Sequence, residues 1–138
     1  MANSRLALAP DIAEIPRLLD WVETCCSNAG IDTDVAFKLG LALDEAAANV
    51  IQHAFRDMPP PHHVAVELSI DTDRVVAEVI DNGPAFDPCA APEPDKDAPL
   101  EDRDPGGLGI HLIRKMMDHV EHRRVAGENR LRLEKRRR

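Results

Sequence analysis

The chain has no surplus of positive charge. Its formal net charge is −8 over 138 residues, whereas a general nucleic-acid binder is usually basic. The one basic run, "KRRR" from Lys135 to Arg138, reads as a solvated tail after the last strand. Cysteine is scarce and badly spaced for cross-links. Cys25 and Cys26 are adjacent and Cys89 stands alone, which excludes a disulfide framework and a Cys-x-x-Cys metal pair and points to a reducing compartment. Cys25 and Cys26 then read as helix packing residues. The histidines form no zinc set either: His111, His119 and His122 lack the spacing of helix-face ligands, and His62 and His63 alternate along a strand. No basic-then-apolar leader opens the chain, and no apolar run nears the roughly 20 residues of a membrane helix. The expectation is a soluble cytoplasmic protein, with neither nucleic acid nor membrane as a direct partner.

What is present patterns into one domain, residues 1–138, of a length that buries a core. Ser4 to Ala9 alternates as a short strand. Ile15, Leu18, Leu19, Val22 and Cys26 recur at helical spacing, with Pro16 near the start and Gly30 as the stop. A second helix opens at Asp32 or Thr33 and runs to about Phe55. His63 to Ile70 and Arg74 to Asp81 alternate as strands. The Pro-rich, acidic stretch from Pro84 to Pro105 is too long and polar for a simple connector and reads as a mobile loop. "GIHLIRKMMDHV" resumes a helix with Ile110, Ile113, Met116, Met117 and Val120 inward, and a hairpin turning at Gly127 to Asn129 closes the chain. Strand runs separated by helices, without strict βαβ alternation, predict an α+β two-layer sandwich with one mixed sheet and helices on one face.

Three segments carry candidate chemistry. In "LALDEAAANVIQHAF", Glu45 and Asn49 lie four apart and share a helix face. They fit a polar surface stripe, or a carboxylate that takes a proton beside an amide oxygen that holds a hard cation. In "VIDNGPAFDP", Asp81 ends a buried strand, Gly83 lets another group approach the backbone, and Phe86 supplies an apolar wall. The stretch fits a turn, or a carboxylate reading an exocyclic amine such as that of adenine. In "DPGGLGIHLI", Gly106, Gly107 and Gly109 come just before a helix, with Leu108 and Ile110 anchoring them. They fit a helix-start turn, or an anion cradle of backbone N–H groups. The segment is neither the Gly-Lys-Ser/Thr phosphate loop nor a dinucleotide fingerprint after a strand.

In this order the boxes "LDEAAANVIQHAF", "DNGPAFDP" and "GGLGIHLIRKMMDHV" resemble the GHKL-type ATPase and kinase superfamily, shared by histidine kinases, gyrase and MutL. The nearest resemblance is to the small bacterial anti-sigma-factor serine/threonine-protein kinases of the RsbW and SpoIIAB type, and it covers nearly the whole chain. It implies the Bergerat, histidine-kinase-like ATPase fold, with a mostly antiparallel sheet. It implies ATP and Mg²⁺ as cofactors, with Asn49 as metal ligand and Glu45 as general base. Asp81 and Gly83 fall on the adenine end, Phe86 beside them, and Gly107, Leu108 and Gly109 on the phosphates. A flexible ATP lid falls around residues 88–106. The partners implied are a sigma factor, a STAS-domain antagonist that receives the phosphate on a serine or threonine, and a second copy of the chain in a homodimer.

The chain also departs from the pattern. Many relatives carry a Thr in the last hairpin near the phosphates, where "GENRLRLEK" has none and offers Asn129 or Arg130. His111 replaces an apolar residue, and Arg103 is the only Arg of the lid. The competing function is an ATP-binding switch that sequesters a protein partner without phosphorylating it. ATP hydrolysis of the gyrase or MutL kind would call for a transducer domain after residue 138, and a two-component kinase for a phospho-acceptor helix pair before the domain.

Overall fold

The structure, a computed structural model, describes residues 2–90 and 105–137. The elements run β1 (Ala2–Leu8), α1 (Ile15–Asn28), α2 (Thr33–Asn49), β2 (Val64–Ile70), β3 (Arg74–Asp81), α3 (Pro105–Met116), β4 (His119–Val125) and β5 (Glu128–Arg136). Their order matches the order read from periodicity. Pro16 occupies the first turn of α1, where its missing N–H has no helical partner to lose. Gly30 ends the helix region at φ +70°, and the Asp32 carboxylate caps α2 by accepting from the Asp34 N–H at 2.8 Å. After Asn49 the helix widens into a π turn, Val50–Ala54, a distortion often found beside functional sites.

The sheet order is β1-β2-β3-β5-β4 and every described pair is antiparallel. This corrects the mixed sheet expected. β3 and β4 do run the same way, but β5 turns back from β4 and inserts between them. Leu133, Val79, Ala77, Val66 and Leu68 face the helices and meet Leu18, Leu39, Leu43 and Ile113, all nearly without solvent contact. Each such Val, Leu or Ile side chain contributes about 1.5–3 kcal/mol. Cys26 lies in this core, and burial first, then the neighbouring Cys25, pushes its thiol up to about 11.

The opposite face of the sheet carries charges instead of helices. Arg5, Glu67, Glu78, Arg132 and Glu121 form one cross-strand row. Glu78, buried, accepts from Arg123 at 3.0 Å and from Arg130 at 2.9 Å. Its carboxylate also holds the Arg130 guanidinium above the usual arginine range.

Three local expectations change. The last hairpin turns on Ala126 (φ 49°) and Gly127 (φ 80°), a two-residue turn of the kind that matches strand twist, so Asn129 belongs to β5. Helix α3 starts at Pro105, so Gly106, Gly107 and Gly109 lie within its opening turns instead of before it. It stops at Met116, and Val120 pairs with Leu133 in β4. The basic end is also no free tail. Lys135 and Arg136 belong to β5, and Arg137 donates to the carbonyls of Asp71 and Ala29, both at 2.7 Å. Of the expected lid, residues 91–104 lie outside the described residues. Pro88–Ala90 form a short 3-10 turn, and 105–106 belong to α3.

Candidate functional site

Between the helices and one end of the sheet lies a cavity of about 450 Å³. Its floor is Val79, Asp81, Asn129, Leu131 and His122, from β3, β5 and β4. The helical wall includes Ala46, Asn49, His53, Ile110 and Ile113, and Pro84, Phe86 and Pro88 close another side. The register explains the floor. Asp81 pairs with Asn129, and Asn129 with Arg124, so one row across three strands is polar where the next, Val79, Leu131 and His122, is mostly apolar.

Asp81 is 5% exposed. Its Oδ1 accepts from the Gly83 N–H at 2.8 Å and from the Asn129 amide at 3.0 Å. A Cβ on Gly83 would stand 2.9 Å from that same oxygen and 3.1 Å from the Ala54 carbonyl, so only glycine lets the chain pass between Asp81 and the π turn. Arg124 reaches in from β4 to the Gly83 carbonyl at 2.7 Å.

At the other end Glu45 and Asn49, one turn apart on α2, meet Gly109 of α3. A Cβ on Gly109 would fall 2.8 Å from Asn49 Nδ2 and 3.3 Å from Glu45 Oε2. The two helices therefore approach on a missing side chain, with a carboxylate and an amide at the contact. Gly107 and Leu108 lie in the first turn of α3, where backbone N–H groups have no partner within a helix and suit an anion. The whole arrangement offers one acceptor at the end of an apolar slot, anion donors, and a neutral oxygen beside a carboxylate.

Residues 8–135 match the model of the histidine kinase-like ATPase domain. The chain belongs to that family. Among its relatives, the serine/threonine-protein kinase BtrW of Bordetella bronchiseptica is 35% identical over 117 residues, 83% of this chain and 80% of that protein. The serine-protein kinase RsbW of Bacillus cereus is 28% identical over 99 residues, 69% of this chain and 61% of that one. The crystal structure of the RsbU and RsbW domains of Rv1364c from Mycobacterium tuberculosis superposes with a TM-score of 0.70 over 99% of this chain. That match spans 32% of the larger chain at 14% identity, and so speaks for the fold. The family is one of nucleotide-using domains, and this member is related to protein serine/threonine kinases.

For a histidine kinase-like ATPase domain, the residues singled out by sequence fall in two groups. Asn49, Asp81 and Phe86 line the cavity, with Gly83 hydrogen-bonded to Asp81. Phe86 is 67% exposed, a wall open on its outer side. Glu45 and Gly109 meet Asn49 at the helix contact, and Gly107 and Leu108 lie in the adjoining turn of α3. His53 lines the cavity while its Nδ1 meets Arg56 at 2.8 Å. Arg130, one of two candidates for the missing Thr, points to the outer face and Glu78. Asn129, the other, sits against Asp81 instead of beside Asn49. His122, read from sequence only as a metal candidate, proves to be part of the floor. Its alternation with Val120 and Arg124 was the one signal that could have placed it there.

Proposed function

We propose that the chain is an ATP-dependent serine/threonine-protein kinase and anti-sigma factor that phosphorylates a STAS-domain antagonist in a partner-switching pathway. The observation that carries this reading is the close approach of Gly109 to both Glu45 and Asn49 at one end of the cavity that Asp81 closes at the other. The relatives named serine/threonine-protein kinases support it further.

The residues present fit a purine nucleotide with its cation. Gly83 and Gly109 leave cradles that a Cβ would fill, and the donor set pairs a neutral amide with backbone N–H groups. Bound ATP and Mg²⁺ would supply the transferable phosphoryl group and the charge that neutralises it. Asp81 accepts from an exocyclic amine, while Val79, Leu131, Ile110 and Ile113 give the base its apolar surroundings. Asn49 offers its amide oxygen to the cation without adding charge. The first-turn N–H groups at Gly107 and Leu108 donate to phosphate oxygens. A Glu45 carboxylate oxygen takes the proton from the incoming serine or threonine hydroxyl. On this reading the segment 88–106 serves as the lid, and the protein works as a cytoplasmic homodimer that exchanges a sigma factor for its antagonist.

The test is Mg²⁺-dependent transfer of labelled γ-phosphate to STAS proteins encoded in the same genome. The parent chain should label at least one of them. Glu45→Gln should lose about 10²–10⁴-fold in transfer rate while binding ATP as before. ATP binding without transfer to any STAS protein would leave a nucleotide-dependent switch in place of a kinase. Absence of ATP binding would sink both.

A further inference from the structure

We infer that the outer side of α1 and α2 docks another protein through an amphipathic helix whose apolar anchors are flanked by Lys or Arg. None of the residues concerned lines the cavity, and the inference does not depend on the nucleotide-binding reading.

A helix in a two-layer fold turns an apolar side to the sheet and a polar side to water. α2 does the first and not the second. Val35, Leu39, Leu43 and Ala46 are buried, while helical spacing turns Phe37, Leu41, Asp44 and Ala48 outward. Phe37 is 65% exposed and Leu41 half-buried. Gly40 lies beside them. A Cβ there would meet only Leu19 Cδ2 of α1, at 3.9 Å, an ordinary contact. Alanine would therefore fit the fold and favour the helix. Neither packing within this chain nor a positive φ calls for glycine at this position. Its effect is a shallow groove between α1 and α2, floored by Gly40 and Leu19 and flanked by Phe37 and Leu41. A large side chain from outside can press into it, as anchors do at protein interfaces.

Charge decides what can occupy the groove. The only cations of α1 and α2 are Arg17 and Lys38, and each is paired, Arg17 with Glu14 at 3.0 Å and Lys38 with Asp34 at 3.1 Å. Asp20 and Glu23 are exposed on α1 and Asp44 half-buried on α2, and among the described residues no ion pair neutralises them. The apolar strip therefore has an acidic rim. The same face of a second copy would set acid against acid. Residues 91–104, with six acidic side chains against Lys96 and Arg103, carry the same sign. The complement is a basic partner. A groove running along two helices suits a third helix, which presents anchors at i, i+3 or i+4 and i+7. Lys or Arg on its flanks would meet Asp20, Glu23 and Asp44.

The probe is an array of synthetic amphipathic helical peptides titrated against the full chain. Its three sets share leucine anchors and carry Lys and Arg, Gln, or Glu on the flanks. The basic set should contain binders whose affinity weakens as salt rises, and the Glu set none. Phe37→Ala should lower the affinity of those binders about tenfold or more. Gly40→Gln should lower it as far while melting at or above the parent temperature, because glutamine favours the helix. Loss of folding then does not explain loss of docking. Asp20→Asn combined with Glu23→Gln should erase the preference for the basic set, and ATP affinity should be the same in every variant. The inference is overturned if no basic peptide binds the parent chain, or if the Glu set binds as well. It is also overturned if the parent, Phe37→Ala and Gly40→Gln bind alike, since the net charge of −8 would then be the whole attraction. Self-association of the parent that Phe37→Ala abolishes would assign the face to a second copy and overturn it too.

Discussion

Gly109 shows how one absent carbon can serve the site without serving the fold. It lies in α3 with no positive φ, so its backbone is one that any residue adopts in a helix. Alanine there should gain about 1 kcal/mol of helix propensity. The added methyl, however, would stand 2.8 Å from Asn49 Nδ2, and the flexible amide is the group that gives way. Gly109→Ala should therefore leave the melting temperature level or slightly raised and, on the proposed role of Asn49 as cation ligand, lower phosphoryl transfer on the order of tenfold to a hundredfold. Thermal melts and transfer assays on the same preparation check this. Loss of both together would mean that α2 and α3 had moved apart, not that Asn49 had shifted.

At the scale of elements, the order of strands and helices was legible because apolar period changes from 2 to 3.6 and back. Glu45 and Asn49 were legible as a pair for the same reason, since helical spacing is local. Strand direction was not legible. The insertion of β5 between β3 and β4 depends on a two-residue turn at Ala126 and Gly127 that no periodicity reports. The same turn fixes the register that brings Asn129 to Asp81 across 48 positions, a contact that local spacing does not report. Glu78 is equally opaque: alternation with Val76 and Ile80 puts it on their face of the strand but does not name its neighbours. Held by Arg123 and Arg130 with 11% of its side chain exposed, it closes the charged face of β3, β4 and β5. Glu78→Ala leaves two guanidinium groups without their shared acceptor and should cost about 1–3 kcal/mol in urea unfolding. The exposed pair Lys38 and Asp34 makes the control, because breaking it should cost less than about 1 kcal/mol. Equal costs for the two would show that the outer face is an ordinary solvated surface.

For the whole molecule, the C-terminus acts as a clasp. β5 is an inner strand of the sheet, paired through Arg136, and the residue after it reaches the far end of the helix layer. Arg137 reaches the Asp71 carbonyl in the β2–β3 turn with one arm and the Ala29 carbonyl, just after α1, with the other. Its own N–H bonds to the Asp73 carbonyl at 3.0 Å. The turn it grips is itself ordered by the Asp71 carboxylate, which accepts from the N–H groups of Asp73 and Arg74 and is held below the usual carboxylate range by them. The guanidinium fork spans carbonyls 42 positions apart in sequence, which a single ammonium cannot do in the same way. Arg137→Ala should destabilise the fold by about 1–3 kcal/mol, a fall in melting temperature of roughly 3–10 °C, and Arg137→Lys should recover less than half of it. Because the clasp sits at the opposite end of the sheet from Asp81 and Asn129, ATP affinity of the folded variant should stay within about threefold of the parent. A basic run that merely trails in solvent would melt the same with arginine, lysine or alanine at position 137, and differential scanning calorimetry on the three chains separates the two outcomes.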